Sequence, residues 1–343
     1  MSSSPHKADF LTSSYLPLAE WTVGGAFRFD RSLQTLMGFL KNQVGAYRIT
    51  QAAGAPPCLW SLDYFVQRRP LHYRDYCQAL ENYAALGVGV TLVFDNPFLE
   101  DDVLEDGYGM LLVQELYKRD RLRRNAVCVA SDKLAAKIHT FCPQLPLHCH
   151  FNRLAAESKP RTPELYRALA AQYDSVCLHP ADGGNAELIR ALTETGDPHR
   201  WAVVVNDPTL REAPMRGDHL QLLAHMRRAP YNAMLMGLRA GLIDHEGEQN
   251  PAKLLAGGKS TCNLTRGETK ALYAAGVRRF ILQSQLFRNE MTLLWDILHS
   301  IPDNDPAISN KRALVAGSAM AEFGQPGSDL PSGLKHFSFS DYE

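Results

Sequence analysis

The sequence predicts an α/β fold, a (β/α)8 TIM-barrel-like arrangement of parallel strands with outer helices and a C-terminal extension. Three observations carry this expectation. Short apolar runs of strand length alternate with helical patterns along most of the chain. Eight such strand runs are found, and repeated strand–helix units with near-continuous apolar strands argue for a parallel sheet closed as a barrel. The joints between units carry Gly, Pro, Asn or Ser/Thr in positions that start or stop helices. An open doubly wound sheet is the alternative.

The strands are expected near Tyr15–Leu18, Ala46–Thr50, Gly89–Phe94, Ala126–Ala130, Leu145–His150, Ser175–Leu178, Ala202–Val205 and Phe280–Leu282. The run from Cys58 to Phe65 reads as another strand or as a loop on the substrate side. Helix starts are marked by Asp132, by Thr162 with Pro163 in the first helical position, and by Asn185, whose side chains can accept from backbone N–H groups that lack intrahelical partners. Before the last strand, Thr265 and Glu268 have capping-box spacing, Leu272 and Tyr273 continue an amphipathic face, and Gly276 stops the helix. Residues 229–261 are Gly-rich and polar, too long for an ordinary connection, and are expected to form a lid or binding loop. Residues 1–305 thus form the barrel, and 306–343 a loosely attached tail whose aromatic end, His336 to Tyr342, is a candidate to dock on the barrel or on a neighbouring subunit.

Charge and cysteine usage exclude several classes. With 36 basic and 37 acidic residues there is no bulk attraction to nucleic acid or an anionic membrane. The basic run from Lys118 to Arg124 reads as a helix end facing water. No apolar run is long enough to span a bilayer, and the Met-Ser-Ser-Ser-Pro start has no basic-then-apolar segment, so a cytoplasmic location is expected. The seven cysteines, at 58, 77, 128, 142, 149, 177 and 262, contain no C-x-x-C pair and suit neither a disulfide framework nor a zinc ribbon. Cys128 and Cys177 fall inside apolar strands and are expected to be inert core residues. Gly257 to Thr261 resembles the end of a phosphate loop, but Lys253 stands where its first glycine is required.

Two segments carry a family resemblance. The strand Trp201 to Val205 is followed by Asn206, Thr209, Ala213, Pro214, Arg216 and His219. This spacing is similar to the Asn-x-x-Cys-x-x-x-Cys-Pro-x-Arg-x-x-His motif of the collagenase-like peptidase family U32, which includes oxygen-independent hydroxylases. The helix and strand from Thr265 to Ser284 resemble the last unit of the same family. The resemblance implies a barrel and either hydroxylation with an iron–sulfur cluster or the peptidase activity in the family name. Thr209 and Ala213 occupy the two cluster-ligand positions, and neither a hydroxyl nor a methyl holds iron as a thiolate does. An iron–sulfur cluster is therefore not expected. No Gly-x-Ser-x-Gly elbow or His-Glu-x-x-His helix supports a peptidase.

In a parallel barrel the site lies at the carboxyl ends of the strands. The polar residues placed there are Asp95 and Asn96, Ser131 and Asp132, His148, His150 and Asn152, His179, Asn206 and Asp207, and Gln283 and Ser284. His148, His179 and Asp95 are the candidates for acid–base catalysis. Asn96, His150, Asn152, Asn206 and Gln283 are the candidates for substrate binding, and Asp132 is read as a helix cap. His148 and His150, two apart on a strand, share a face, and with His179 they are candidate ligands for zinc or ferrous iron. The leading expectation is a cluster-free barrel enzyme acting on a small organic substrate by acid–base or mononuclear-metal chemistry. The competing class is a non-catalytic subunit that binds an active homologue or a second copy of itself. An enzyme should show a polar-floored pocket, and a partner subunit a filled barrel mouth.

Overall fold

The computed structural model describes residues 16–27, 33, 34, 37, 49–62, 71–157, 160–194, 196–207, 216–228, 262–283, 297 and 300. Within them a closed barrel of eight parallel strands runs in sequence order: β1 Glu20–Gly24, β2 Ile49–Gly54, β3 Gly89–Phe94, β4 Ala126–Val129, β5 Leu147–Cys149, β6 Ser175–Cys177, β7 Trp201–Val204 and β8 Arg279–Leu282. The barrel closes where β1 pairs with β8, Trp21 opposite Phe280 and Thr22 opposite Ile281. Closure leaves no sheet edge. The expected (β/α)8 fold is therefore present.

Six strands fall close to their expected positions, and two move. The first is Glu20–Gly24, not Tyr15–Leu18. Leu16 has a φ of 55°, a left-handed conformation that turns the chain and cannot continue a strand. The second runs Ile49–Gly54, several residues later than expected. Its Gln-Ala-Ala-Gly end has weak β propensity, but these small residues fit where strands crowd around a barrel axis. Cys58 to Leu62 is a loop, joined to the barrel by Ser61 Oγ donating to the Val93 carbonyl at 3.1 Å.

The outer face of the strands is the main core. Trp21, Val23, Leu92, Phe94, Val127, Val129, Leu147, Val176, Val203, Phe280 and Leu282 are buried there, with the helices packed over them. Those helices begin largely as their sequences dictate. Thr162 accepts from the Leu165 N–H, with Pro163 first in the helix Pro163–Ala170. Asn185 accepts from the Leu188 N–H ahead of Ala186–Thr193. Thr265 and Glu268 form the complete capping box of Arg266–Ala274, and Gly276, at φ 107°, follows its end. The helix Asp132–Phe141 is capped by Ser131, which accepts from the Leu134 N–H, so Asp132 is not the cap. Residues 229–261 and 306–343 lie outside the described residues.

Candidate functional site

Because strand side chains alternate, placing Phe280 and Leu282 in the outer core turns Arg279 and Ile281 inward; likewise Leu147 and Cys149 turn His148 inward. The inward residues line a lumen of about 60 Å³, bordered at the carboxyl ends of the strands by His150, Phe151 and Gln283. A barrel interior is ordinarily filled by layers of bulky side chains. Here many inward positions are small: Gly24, Ala53, Cys128, Cys177 and Ala202. The space follows from that choice of residues.

The lumen has an apolar wall and a polar floor. Ala53, Val93 and Cys128 form one apolar cluster, and Phe151, Cys177, Ala202, Val204 and Ile281 another. The floor comes from the earlier residues of the strands. Ser175 Oγ lies 2.7 Å from His148 Nδ1, and Arg279 Nη2 lies 3.3 Å from His148 Nε2. A guanidinium only donates, so His148 Nε2 is the acceptor and the ring proton sits on Nδ1, donated to Ser175. Burial and the neighbouring Arg279 charge together hold the His148 pKa well below its ordinary value, so the ring is neutral. Arg279 Nη2 also donates to Gln51 Oε1 at 3.4 Å, the oxygen that accepts from Thr91 Oγ1 at 2.9 Å. Gln51 Nε2 donates to the Arg124 carbonyl at 3.0 Å, which sets the amide's orientation. Burial lowers the Arg279 pKa, with Glu20 opposing, yet an arginine keeps its charge. The Cys128 thiol is pushed well up, chiefly by burial, and so adds no negative charge.

Of the expected site residues, His148, His150 and Gln283 line this lumen. His150 Nδ1 accepts from the Asn152 N–H at 3.2 Å, so the neutral ring carries its proton on Nε2. Asp95 is fully buried and its Oδ1 accepts from the Leu62 N–H at 2.7 Å, tying the loop after β2 to the end of β3. Asn152 Nδ2 donates to the Asp95 carbonyl at 2.9 Å. Asn96 accepts from the Phe98 N–H and donates to the Leu59 carbonyl; it lines a separate surface pocket with Glu100, Gln221 and His225. Asn206 mimics a strand residue, donating to the Gln283 carbonyl at 3.0 Å and accepting from its N–H at 2.7 Å. Asn152 and Asn206 therefore make documented bonds that brace the rim.

His179 is not brought to the lumen. Its Nδ1 accepts from the Ala181 N–H, capping the short turn Pro180–Asp182, while its own N–H donates to Tyr166 Oη at 3.1 Å. The proposed metal set of His148, His150 and His179 is thus not assembled, and among the described residues no group of three or more His, Cys, Asp or Glu is placed to hold a metal ion. His148 Nε2 faces a guanidinium, and a cation there would be repelled. Asp132 accepts from Arg153 Nη2 at 2.8 Å and from Tyr173 Oη at 2.7 Å, and these partners hold its pKa down against burial.

Sequence reasoning missed Gln51, Thr91, Ser175 and Arg279. The available signal was alternation: once the large apolar residues of a strand face outward, its polar residues must face the axis.

For an iron–sulfur cluster the donor chemistry does not fit. Thr209 and Ala213 supply no thiolate, and among the described residues the cysteines are not gathered into a metal-binding group. Thr209 and Ala213 lie outside the described residues, as does Ser284. His219, on the helix Arg216–Arg228, is buried.

No family model and no curated protein matches the sequence. A solved structure, that of the U32 peptidase Mk0906, is similar at a TM-score of 0.48 and 16% identity, covering 83% of this chain and 96% of that one.

Proposed function

We propose that the chain is a cluster-free barrel enzyme that admits a small organic molecule to the lumen from the carboxyl ends of the strands and acts on it by acid–base chemistry. The observation that carries this reading is the lumen itself: small inward side chains leave space above a hydrogen-bonded floor, beside a histidine and a glutamine at the mouth. His150 is the group assigned to proton exchange, since its ring lines the lumen and its tautomer is set by the Asn152 N–H. Gln283 orients the substrate at the mouth. Asp95 and Asn206 support this arrangement by bracing the loops. His148, held neutral between Ser175 and Arg279, positions the floor.

The frame from Asn206 to His219 and the capping box at Thr265 support reading the chain as a divergent relative of family U32. The hydroxylase chemistry of that family is not carried over, because its cluster ligands are missing. A non-catalytic partner subunit is the competing reading, and the polar floor of the lumen favours the enzyme.

The test is mass balance. The full chain is incubated with fractionated pools of small metabolites, and depletion and product formation are followed by mass spectrometry. His150→Phe is expected to abolish conversion while the same compound is still retained on ultrafiltration, and Ala202→Phe to abolish both. A folded Ala202→Phe protein that still retains and converts the compound would sink the lumen reading.

A further inference from the structure

We propose that Arg279 anchors an anionic group of the ligand, so that the lumen takes a small monocarboxylic acid whose apolar body lies against Val93, Val204 and Ile281. This rests on the lumen being the ligand site.

Arg279 stands in the lumen wall, and its two hydrogen bonds, to Gln51 and His148, both use Nη2. Both acceptors are neutral. Among the described residues no carboxylate lies within ion-pair distance of the guanidinium. Glu20, opposite Arg279 across the β1–β8 seam, is 3.5 Å from His199 Nδ1 and acts on Arg279 only through its longer-range field. The cation is therefore partly withdrawn from water with no counter-charge at ion-pair distance among the described residues, which carries a cost. Its Nε and Nη1 donate to no acceptor among the described residues. A carboxylate can accept a charge-assisted hydrogen bond from one of these remaining N–H groups, stronger than a bond between neutral partners.

The rest of the floor selects a monoanion. Gln51 turns its oxygen to Arg279 and spends its amide on the Arg124 carbonyl, and His148 is neutral with its single ring proton given to Ser175. Ser175, whose hydroxyl accepts from His148, keeps its own proton as one further donor. A phosphate dianion would need more donors than one free guanidinium N–H and one hydroxyl. Above the floor the wall is apolar through Ala53, Val93, Ala202, Val204 and Ile281. An apolar body with one acidic end is complementary to both parts.

The experiment uses fluorine NMR of para-fluorobenzoate and its neutral isostere para-fluorobenzamide, titrated with the full chain and with Arg279→Met, Arg279→Lys and Ala202→Phe, each checked for folding by thermal melting. The benzoate is expected to bind at least about tenfold tighter than the amide, to lose that advantage in Arg279→Met, and to weaken severalfold in Arg279→Lys, which keeps the charge but not the planar guanidinium that places the donor. If Arg279→Met does not fold, Arg279→Lys carries the comparison. Equal binding of the two probes, unchanged by either Arg279 substitution, overturns the anion subsite and leaves the lumen reading standing. Binding of neither probe to the unsubstituted chain overturns the apolar-acid assignment, with the lumen still judged by mass balance. Undiminished binding to a folded Ala202→Phe overturns the lumen reading itself, and the anion subsite with it.

Discussion

At the scale of single residues, the floor is a set of polar groups whose protonation states follow from who can donate to whom. Arg279 can only donate, so His148 must accept at Nε2 and donate at Nδ1. Removing the acceptor by Ser175→Ala leaves a buried N–H unsatisfied. It is expected to cost about 1–3 kcal/mol, read from urea unfolding. The depressed pKa of His148 has a pH consequence with a definite sign. Above its ordinary value of 6.5 the ring is neutral folded and unfolded, and the full stability is present. As pH falls below 6.5 the unfolded chain gains a proton that the folded chain refuses, so stability declines until the folded pKa is passed. His148→Gln should remove about one proton's worth of that slope, roughly 1.4 kcal/mol per pH unit, from urea unfolding measured between pH 5 and 7.5. An unchanged slope would show that the ring protonates freely in the fold.

The elements show which local rules hold up under tertiary packing. The cap at Thr265 is local: its hydroxyl accepts from the Glu268 N–H at 3.2 Å, and the Glu268 carboxylate accepts from the Thr265 N–H at 2.8 Å. Thr265→Ala is expected to destabilise by about 1 kcal/mol in thermal or urea unfolding, and Thr265→Ser to be close to neutral. Two glycines separate local from tertiary demands. A methyl at Gly107, the first residue of Gly107–Lys118, meets nothing, so Gly107→Ala should leave stability unchanged or raise it by up to about 1 kcal/mol. A methyl at Gly89, the first residue of β3, would be driven into the Arg124 backbone carbonyl, so Gly89→Ala should cost about 1–3 kcal/mol. Only the first of these outcomes can be argued from helix propensity. The missed start of the barrel has the same origin, since Glu20-Trp-Thr-Val-Gly24 looks poor as a strand until its inward Thr22 and outward Trp21 and Val23 are assigned to different faces.

For the whole molecule, the seam between β1 and β8 decides whether the sheet is a barrel. Trp21 is fully buried there and stacks on Phe280 with ring centroids 5.1 Å apart. Trp21→Ala is expected to cost about 3–5 kcal/mol, with faster amide exchange in both strands than in β4 and β5; uniform exchange across the barrel would argue against a local seam. The strand–helix alternation, six of the strand positions and the caps at Thr162, Asn185 and Thr265 were legible in the sequence, because each depends on residues within one turn or one strand. So were His148, His150 and Gln283 as residues that line the lumen. The floor of Gln51, Thr91, Ser175 and Arg279 was not. Its members lie on four strands, in the earlier halves where a search of strand ends does not look, and a charged residue beginning a strand reads as surface. His179 was misplaced for a related reason, since proximity to a strand end does not say whether a side chain turns to the axis or caps its own turn. Alternation and capping are short-range chemistry, so the sequence by itself determined a strand–helix barrel. Which polar side chains meet at its axis depends on the register of closure and on the burial that closure creates, and only the tertiary structure decided that.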